Sequence, residues 1–198
     1  MRAKLNRLCA VLAGCVVLGF AAAPVARAAD VTEPVMLVAN PKLGEFYRAT
    51  VLVVRPVGNG QHIGFIVNRP TQMTLGKLFP DHPPSAKVSD PVYLGGPVYV
   101  DTIFALVQRE ASPGGKSIPL FEDLHVAVDA TTVDDIIEHD AEHARFFAGM
   151  VAWRPGELAQ ELERGLWYVQ RPDAKLLFRK STEGLWEELV QPHRGNAI

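Results

Sequence analysis

Apolar residues recur along most of the chain in short runs with the alternation of half-buried strands, and a few stretches between them have helical spacing. Runs predicted as strands lie at residues 35–39, 50–55, 64–70, 91–94, 102–108, 124–128, 144–153, 166–170 and 175–178. Helical spacing or helix-start signals predict helices at residues 74–79, 132–139, 157–164 and 182–190. Asn59-Gly60 favours a tight hairpin, so the strands beside it are predicted to be antiparallel.

The stretch from residue 64 to 70 has the character of a central strand. Ile63, Phe65 and Val67 share one face of this strand, while Ile66 adds an apolar group to the other face. Pro70 cannot donate to a strand ladder and holds the preceding residue extended. A rigid segment is therefore expected to end in the hydrogen-bond donors of Asn68 and Arg69.

Hairpin-like strands interspersed with a few helices predict an α+β fold with a largely antiparallel sheet. No internal repeat occurs, and no linker is long enough to divide residues 29–198. We therefore expect a single compact domain over those residues.

Residues 1–28 have the three parts of a secretory signal peptide: a basic start, an apolar run from residue 8 to 23, and Ala-x-Ala before position 29. The prediction is a periplasmic or secreted protein. An alternative is a lipid anchor at Cys15, because Leu12-Ala13-Gly14-Cys15 resembles a lipoprotein cleavage box. The apolar run continues beyond Cys15, which favours the soluble exported form.

Removal of residues 1–28 would make the chain clearly acidic. Lysines and arginines would fall from 20 to 16 while Asp and Glu stay at 22, so the formal net charge would change from −2 to −6. This balance argues against nucleic acid as a partner. Both cysteines, Cys9 and Cys15, lie in the leader, so the remaining chain would have no thiol for a disulfide, a nucleophile or a metal.

Several stretches together resemble the AlgH/YqgE family of bacterial proteins. They read LVANP at 37–41, GFIVNRP at 64–70, GGPV at 95–98, FAGMVAW at 147–153, PGEL at 155–158, LLF at 176–178 and LW at 185–186. The resemblance covers nearly all of residues 29–198 and implies a barrel-like, mainly antiparallel sheet. It implies no activity, because the family has no known biochemical function, although some members are labelled transcriptional regulators.

The chain departs from this family's pattern at two places. Members usually have Gly-Tyr-Ala-Gly-Trp where residues 149–153 read Gly-Met-Val-Ala-Trp, and Gln where Glu157 stands. Most members are cytoplasmic and begin at the first strand. The leader therefore conflicts with a role in transcription.

Two sets of residues are candidates for chemistry. His139, Glu142 and His143 match the H-x-x-E-H pattern of a zinc hydrolase, but they fall at the predicted end of a helix, where solvated histidines are common. Asn68 and Arg69, with Gly95 and Gly96 before a proline, could instead surround an anion with N–H groups. The simpler reading of the second set is a capped turn and a tight bend.

The sequence favours an exported, non-enzymatic module that binds a small anionic ligand or a protein partner, with Asn68, Arg69, Gly95 and Gly96 as the candidate site. No cofactor is expected, since no nucleotide or phosphate-loop motif and no nucleophile elbow occurs. A metal-dependent hydrolase and a regulator are the alternatives.

The predicted localisation can be tested directly. N-terminal sequencing of protein from fractionated cells is expected to begin at Ala29, in the exported fraction, and that protein is expected to show no reaction with a thiol reagent. Cytosolic protein that starts at Met1 would contradict this prediction and revive the regulatory alternative.

Overall fold

The computed structural model describes residues 31–194, so the predicted signal peptide lies outside the described residues. Within that range the strands are β1 Val35–Ala39, β2 Val51–Gly58, β3 Gln61–Ile66, β4 Pro70–Thr74, β5 Pro91–Leu94, β6 Val98–Gln108, β7 Ile118–Phe121, β8 Leu124–Ala127, β9 Ala144–Trp153 and β10 Trp167–Gln170. The α-helices are α1 Leu75–Leu78, α2 Pro83–Ala86, α3 Ala130–His139, α4 Glu157–Glu163, α5 Ala174–Leu177 and α6 Leu185–Arg194. Two 3-10 turns cover Glu45–Tyr47 and Ala141–His143.

One curled sheet organises these elements as a half-barrel, in the order β10-β1-β2-β3-β9-β6-β8-β7. Neighbours along this path are antiparallel, while β5 pairs with β4 and lies parallel to β9. The predicted hairpin joins β2 to β3 through Asn59 and Gly60, both at positive φ, as a tight two-residue turn requires. The α+β prediction, with a mainly antiparallel, barrel-like sheet, is confirmed.

Alternating side chains of the strands build cores on both faces of the sheet. One face buries Phe65, Phe104 and Phe147, and α5 and α6 pack there with Leu177 and Leu185. On the other face, α3 covers one half of the sheet, and α4 with the tryptophans of β9 and β10 covers the other half. No helix within residues 31–194 has both the length and the apolar character needed to cross a membrane.

One predicted element had the wrong type, one predicted strand ended too late, and two strands were not predicted. Residues 174–177 form α5 where a strand was predicted at residues 175–178, because the Asp173 side chain accepts from the Lys175 N–H at 2.8 Å and begins a helical turn. Strand β3 ends at Ile66, short of the predicted segment. Strands β4 and β7 were missed, since each contains a proline and lacks a regular apolar alternation.

The chain crosses over β9 on its way from β5 to β6, and this crossing leaves no room for side chains. A Cβ atom on Gly95 would lie 2.2 Å from the Gly149 carbonyl oxygen, and one on Gly96 would lie 2.2 Å from the Met150 carbonyl carbon. Gly149 itself has a φ of +72°, which disfavours other residues. The Gly-Gly pair and Gly149 are therefore required by backbone contact.

Gly95→Ala is expected to reduce the free energy of unfolding by more than about 3 kcal/mol, because the rigid backbone of β9 cannot move away from the added methyl group. Urea unfolding measures the change. Gly44→Ala is the control, since a Cβ at Gly44 meets nothing within 4 Å. Equal stabilities of the two variants would show that the crossing is not a tight constraint.

Candidate functional site

Asn68 is held between two backbone segments. Its Nδ2 group donates to the Ala49 carbonyl at 2.8 Å, and its Oδ1 atom accepts from the Val51 N–H at 2.9 Å. Ala49 has a φ of 54°, a left-handed conformation that residues other than glycine rarely adopt. The Asn68 amide therefore supports a strained turn at the start of β2 and is already engaged within the fold.

Arg69 lies beside the 3-10 turn that precedes β2. Its Nη2 group donates to the carbonyl of Phe46 and, at 3.4 Å, to that of Arg48. The guanidinium carbon lies 5.1 Å from the centre of the Phe46 ring, a cation–π arrangement. Among residues 31–194, no carboxylate forms an ion pair with Arg69.

Phe46, Tyr47, Arg48 and Arg69 together form a surface that we name the Arg69 patch. Phe46 is 42% exposed, and its ring packs edge-on against Tyr47 at 4.9 Å. Tyr47 in turn packs against buried Trp167 at 5.7 Å. Burial raises the pKa of the Tyr47 hydroxyl and lowers the pKa of Arg69, while each of the two groups favours the charged form of the other. A continuous series of edge-on aromatic contacts therefore joins the Arg69 patch to the core.

Glu161 holds Trp167, the buried end of this series of aromatic contacts. One of its oxygens, Oε2, accepts from the indole N–H groups of both Trp167, at 2.7 Å, and Trp153, at 3.0 Å. The two indole rings are 5% exposed each. The foundation of the Arg69 patch is therefore rigid.

The backbone brings the four predicted site residues close together, but the N–H group of Gly95 does not face outward. The Leu94 N–H donates to the Arg69 carbonyl, and the Ile66 N–H donates to the Gly95 carbonyl, both at 2.9 Å. The Gly95 N–H donates to Ala148 at 2.8 Å, so the expected outward orientation of this group was wrong. Gly95 and Gly96 are both buried. Ligand binding by the four residues stays a prediction.

The H-x-x-E-H pattern does not lie on one helical face. His139 is the last residue of α3, and Glu142 and His143 belong to the following 3-10 turn. The His139 ring lies 3.2 Å from an Asp135 carboxylate oxygen, one turn back along the helix. Within residues 31–194, no three His, Cys, Asp or Glu side chains are placed to hold a metal ion.

Arg145 is a residue that sequence reasoning missed. It is 6% exposed on β9, its Nη2 group donates to the Arg179 carbonyl at 2.7 Å, and its guanidinium lies 4.5 Å from the Tyr93 ring centre. Burial lowers the pKa of Arg145, and nearby Tyr93 and Asp90 oppose that shift. The available signal was a cation inside the otherwise apolar run at residues 144–153.

A family model described as AlgH-like (DUF179) matches residues 36–197. The chain belongs to the AlgH-like family. A UPF0301 protein of Streptomyces coelicolor is 31% identical over 167 residues, which span 81% of this chain and 86% of that protein. A UPF0301 protein of Cytophaga hutchinsonii is 25% identical over 83% of this chain and 91% of its own length. These relatives form an uncharacterised family.

Solved structures show the same fold for the AlgH-like chain. The AlgH protein of Pseudomonas aeruginosa superimposes with a TM-score of 0.67 at 21% identity, over 83% of this chain and 89% of that one. A crystal structure of a protein from Corynebacterium diphtheriae gives 0.65 at 19% identity, over 81% and 86% of the two chains. At these identities the likeness concerns the fold alone.

Asn68→Asp is expected to destabilise the protein at neutral pH by about 1–3 kcal/mol, because the new carboxylate cannot donate to the Ala49 carbonyl. In the folded state, the nearby Ala49 carbonyl raises the pKa of the new carboxyl group above its unfolded value. The variant therefore regains stability below about pH 4, where the carboxyl is protonated, and loses it as the pH rises through the folded-state pKa. Denaturant unfolding at several pH values measures this difference from wild type.

Asn59→Asp is the matched control for that experiment. It makes the same chemical change in the exposed hairpin turn, where Asp is well tolerated, so about 0.5 kcal/mol or less is expected. A pH profile that is the same for both variants would contradict the role assigned to the Asn68 amide.

Proposed function

We propose that this AlgH-like protein is an exported, non-enzymatic binding module whose Arg69 patch recognises a carboxylate on a protein partner. The observation that carries the proposal is the state of Arg69. Its guanidinium is held by two backbone carbonyls and by the Phe46 ring, yet it pairs with no carboxylate among residues 31–194. The charge is therefore positioned without being neutralised.

Positioning of this kind favours binding. A long arginine side chain normally loses rotamer freedom when it enters an interface, and that loss opposes association. Stacking on Phe46 and hydrogen bonding to the 3-10 turn hold the Arg69 side chain before a partner arrives. Arginine and aromatic side chains are also the residues that most often dominate interface energies.

The shape of the patch favours a protein partner over a small ligand. Phe46 lies on a surface turn and exposes 42% of its area. Sites for small molecules usually enclose most of the ligand in a concavity. An exposed ring beside an unpaired guanidinium instead suits a complementary surface that covers the ring and supplies a carboxylate.

Export rests on the features of residues 1–28, and non-enzymatic action on the absence of a recognised catalytic motif in the sequence. An exported protein does not meet the chromosome, which argues against the regulatory alternative. No contact among the described residues favours the metal-dependent hydrolase.

Site-specific photo-crosslinking in the native host tests the partner. A photoreactive phenylalanine analogue at position 46 is expected to give a discrete adduct with one protein, while the same analogue at Val169, which is 48% exposed, gives none. Arg69→Glu is expected to reduce adduct yield by about tenfold or more, because it replaces attraction with repulsion. Arg171→Glu, an equal charge reversal at an exposed position away from the patch, should leave the yield unchanged.

Circular dichroism and thermal unfolding confirm that the Arg69→Glu variant is folded before the yields are compared. No adduct at position 46, or an adduct that Arg69→Glu leaves intact, would refute the proposed interface. Saturable binding of a small carboxylate at the patch, without a protein adduct, would replace the protein partner with a small ligand.

A further inference from the structure

A buried cation without a carboxylate ion pair is unusual in a protein interior. Arg145 is 6% exposed, and among residues 31–194 it forms no ion pair. Its Nη2 group has a backbone acceptor, but its Nη1 group has no hydrogen-bond partner in the described chain. Leaving a charged donor buried and unsatisfied is costly, so the position calls for an acceptor.

A cleft of about 390 Å³ is lined by Tyr93, the residue on whose ring this arginine stacks, and we name it the Arg145 cleft although Arg145 itself does not line it. Its lining includes Asn68, Tyr93, Lys180, Ser181, Thr182 and Glu183. The cleft is open to solvent, and the segment from Lys180 to Glu183 leads directly into α6. It is separate from the Arg69 side chain, which contacts the 3-10 turn.

Arg145 packs against two walls of the cleft. Its guanidinium stacks on the Tyr93 ring, which lines one wall, and its Nη2 group bonds the carbonyl of Arg179, directly before Lys180 on the other wall. Thr182, which lines the same cleft, lies close enough to the Tyr93 hydroxyl to oppose the rise that burial causes in the pKa of Tyr93. Because both amino groups of a guanidinium share one carbon, the unpartnered Nη1 lies next to these walls as well.

We infer that the Arg145 cleft binds a small oxyanion of the phosphate type. Lys180 is exposed at the cleft and supplies a mobile positive charge, while Ser181, Thr182 and Tyr93 supply hydroxyl groups. The N-terminal end of α6, a ten-residue helix, begins just after this segment and adds the positive end of its dipole. Arg145 Nη1 is closed off from solvent in this structure, so the proposed contact requires the Tyr93 side chain to move aside as the anion enters.

Two carboxylates limit the charge of the ligand. Glu183 lines the cleft, and Asp90 is close enough to Arg145 and Tyr93 to influence the pKa of both. A partly protonated phosphate meets this requirement, because its P–OH group donates to a carboxylate while its other oxygens accept from the cations. A fully ionised trianion is disfavoured by the same two groups.

Titration with inorganic phosphate, followed by backbone amide NMR at constant ionic strength, tests the inference. Amides of residues 181–184 are expected to shift and to saturate with a single site in the millimolar range. Lys180→Gln and Thr182→Val are each expected to weaken the apparent affinity by about tenfold, which corresponds to about 1.4 kcal/mol. Lys116→Gln removes the same charge from an exposed position on another loop and should change nothing.

Arg145→Lys keeps the charge but removes the fork of donors, so a folded variant with weakened phosphate binding would support direct contact. Arg69→Ala should leave the titration unchanged, which separates this result from that of the Arg69 patch. Shifts that rise without saturation, that chloride reproduces, or that Lys180→Gln and Lys116→Gln alter equally would overturn the inference.

Discussion

The close passage of one backbone over another at the centre of the sheet constrains the rest of this structure. Strand β9 pairs with β3 and β5 on one side and with β6 on the other. To connect β5 to β6 the chain must cross β9, and it does so where Gly95 and Gly96 meet Gly149. Any side chain at these positions would separate strands that share their hydrogen bonds with β9. The half-barrel therefore depends on three glycines that contribute no side-chain packing.

The same crossing positions both candidate binding regions. Its backbone bonds join the end of β3 to β5, because Ile66 donates to Gly95 and Leu94 donates to the carbonyl of Arg69. Arg69 is thereby directed towards the 3-10 turn, where it stacks on Phe46. Strand β5 also carries Tyr93, which lies over Arg145 at the other region. The link between β3 and β4 thus places Arg69, and the β5–β9 pairing places Tyr93 beside Arg145.

The two arginines differ in a way that suits different ligands. Arg69 is half-buried beside the exposed ring of Phe46, where a large surface can cover both, and a series of edge-on aromatic contacts that ends at Glu161 supports it. Arg145 is buried behind Tyr93, which lines the adjacent cleft, and we propose that a small anion in that cleft reaches it. Both charges are oriented by backbone carbonyls and have no carboxylate partner among residues 31–194. Binding of acidic groups is the property that we propose for both regions.

Local patterns in the sequence were sufficient for the α+β class, the β2–β3 hairpin and helix α3, because alternation, turn residues and helical spacing reflect short-range geometry. They also singled out Asn68, Arg69, Gly95 and Gly96, but as ligand groups. Only the tertiary structure shows that Asn68 supports Ala49, that Gly95 faces Ala148, and that Arg145 lies behind Tyr93. Such contacts join residues far apart in the chain, and their hydrogen-bond partners are decided by strand order and crossing, which no local pattern encodes.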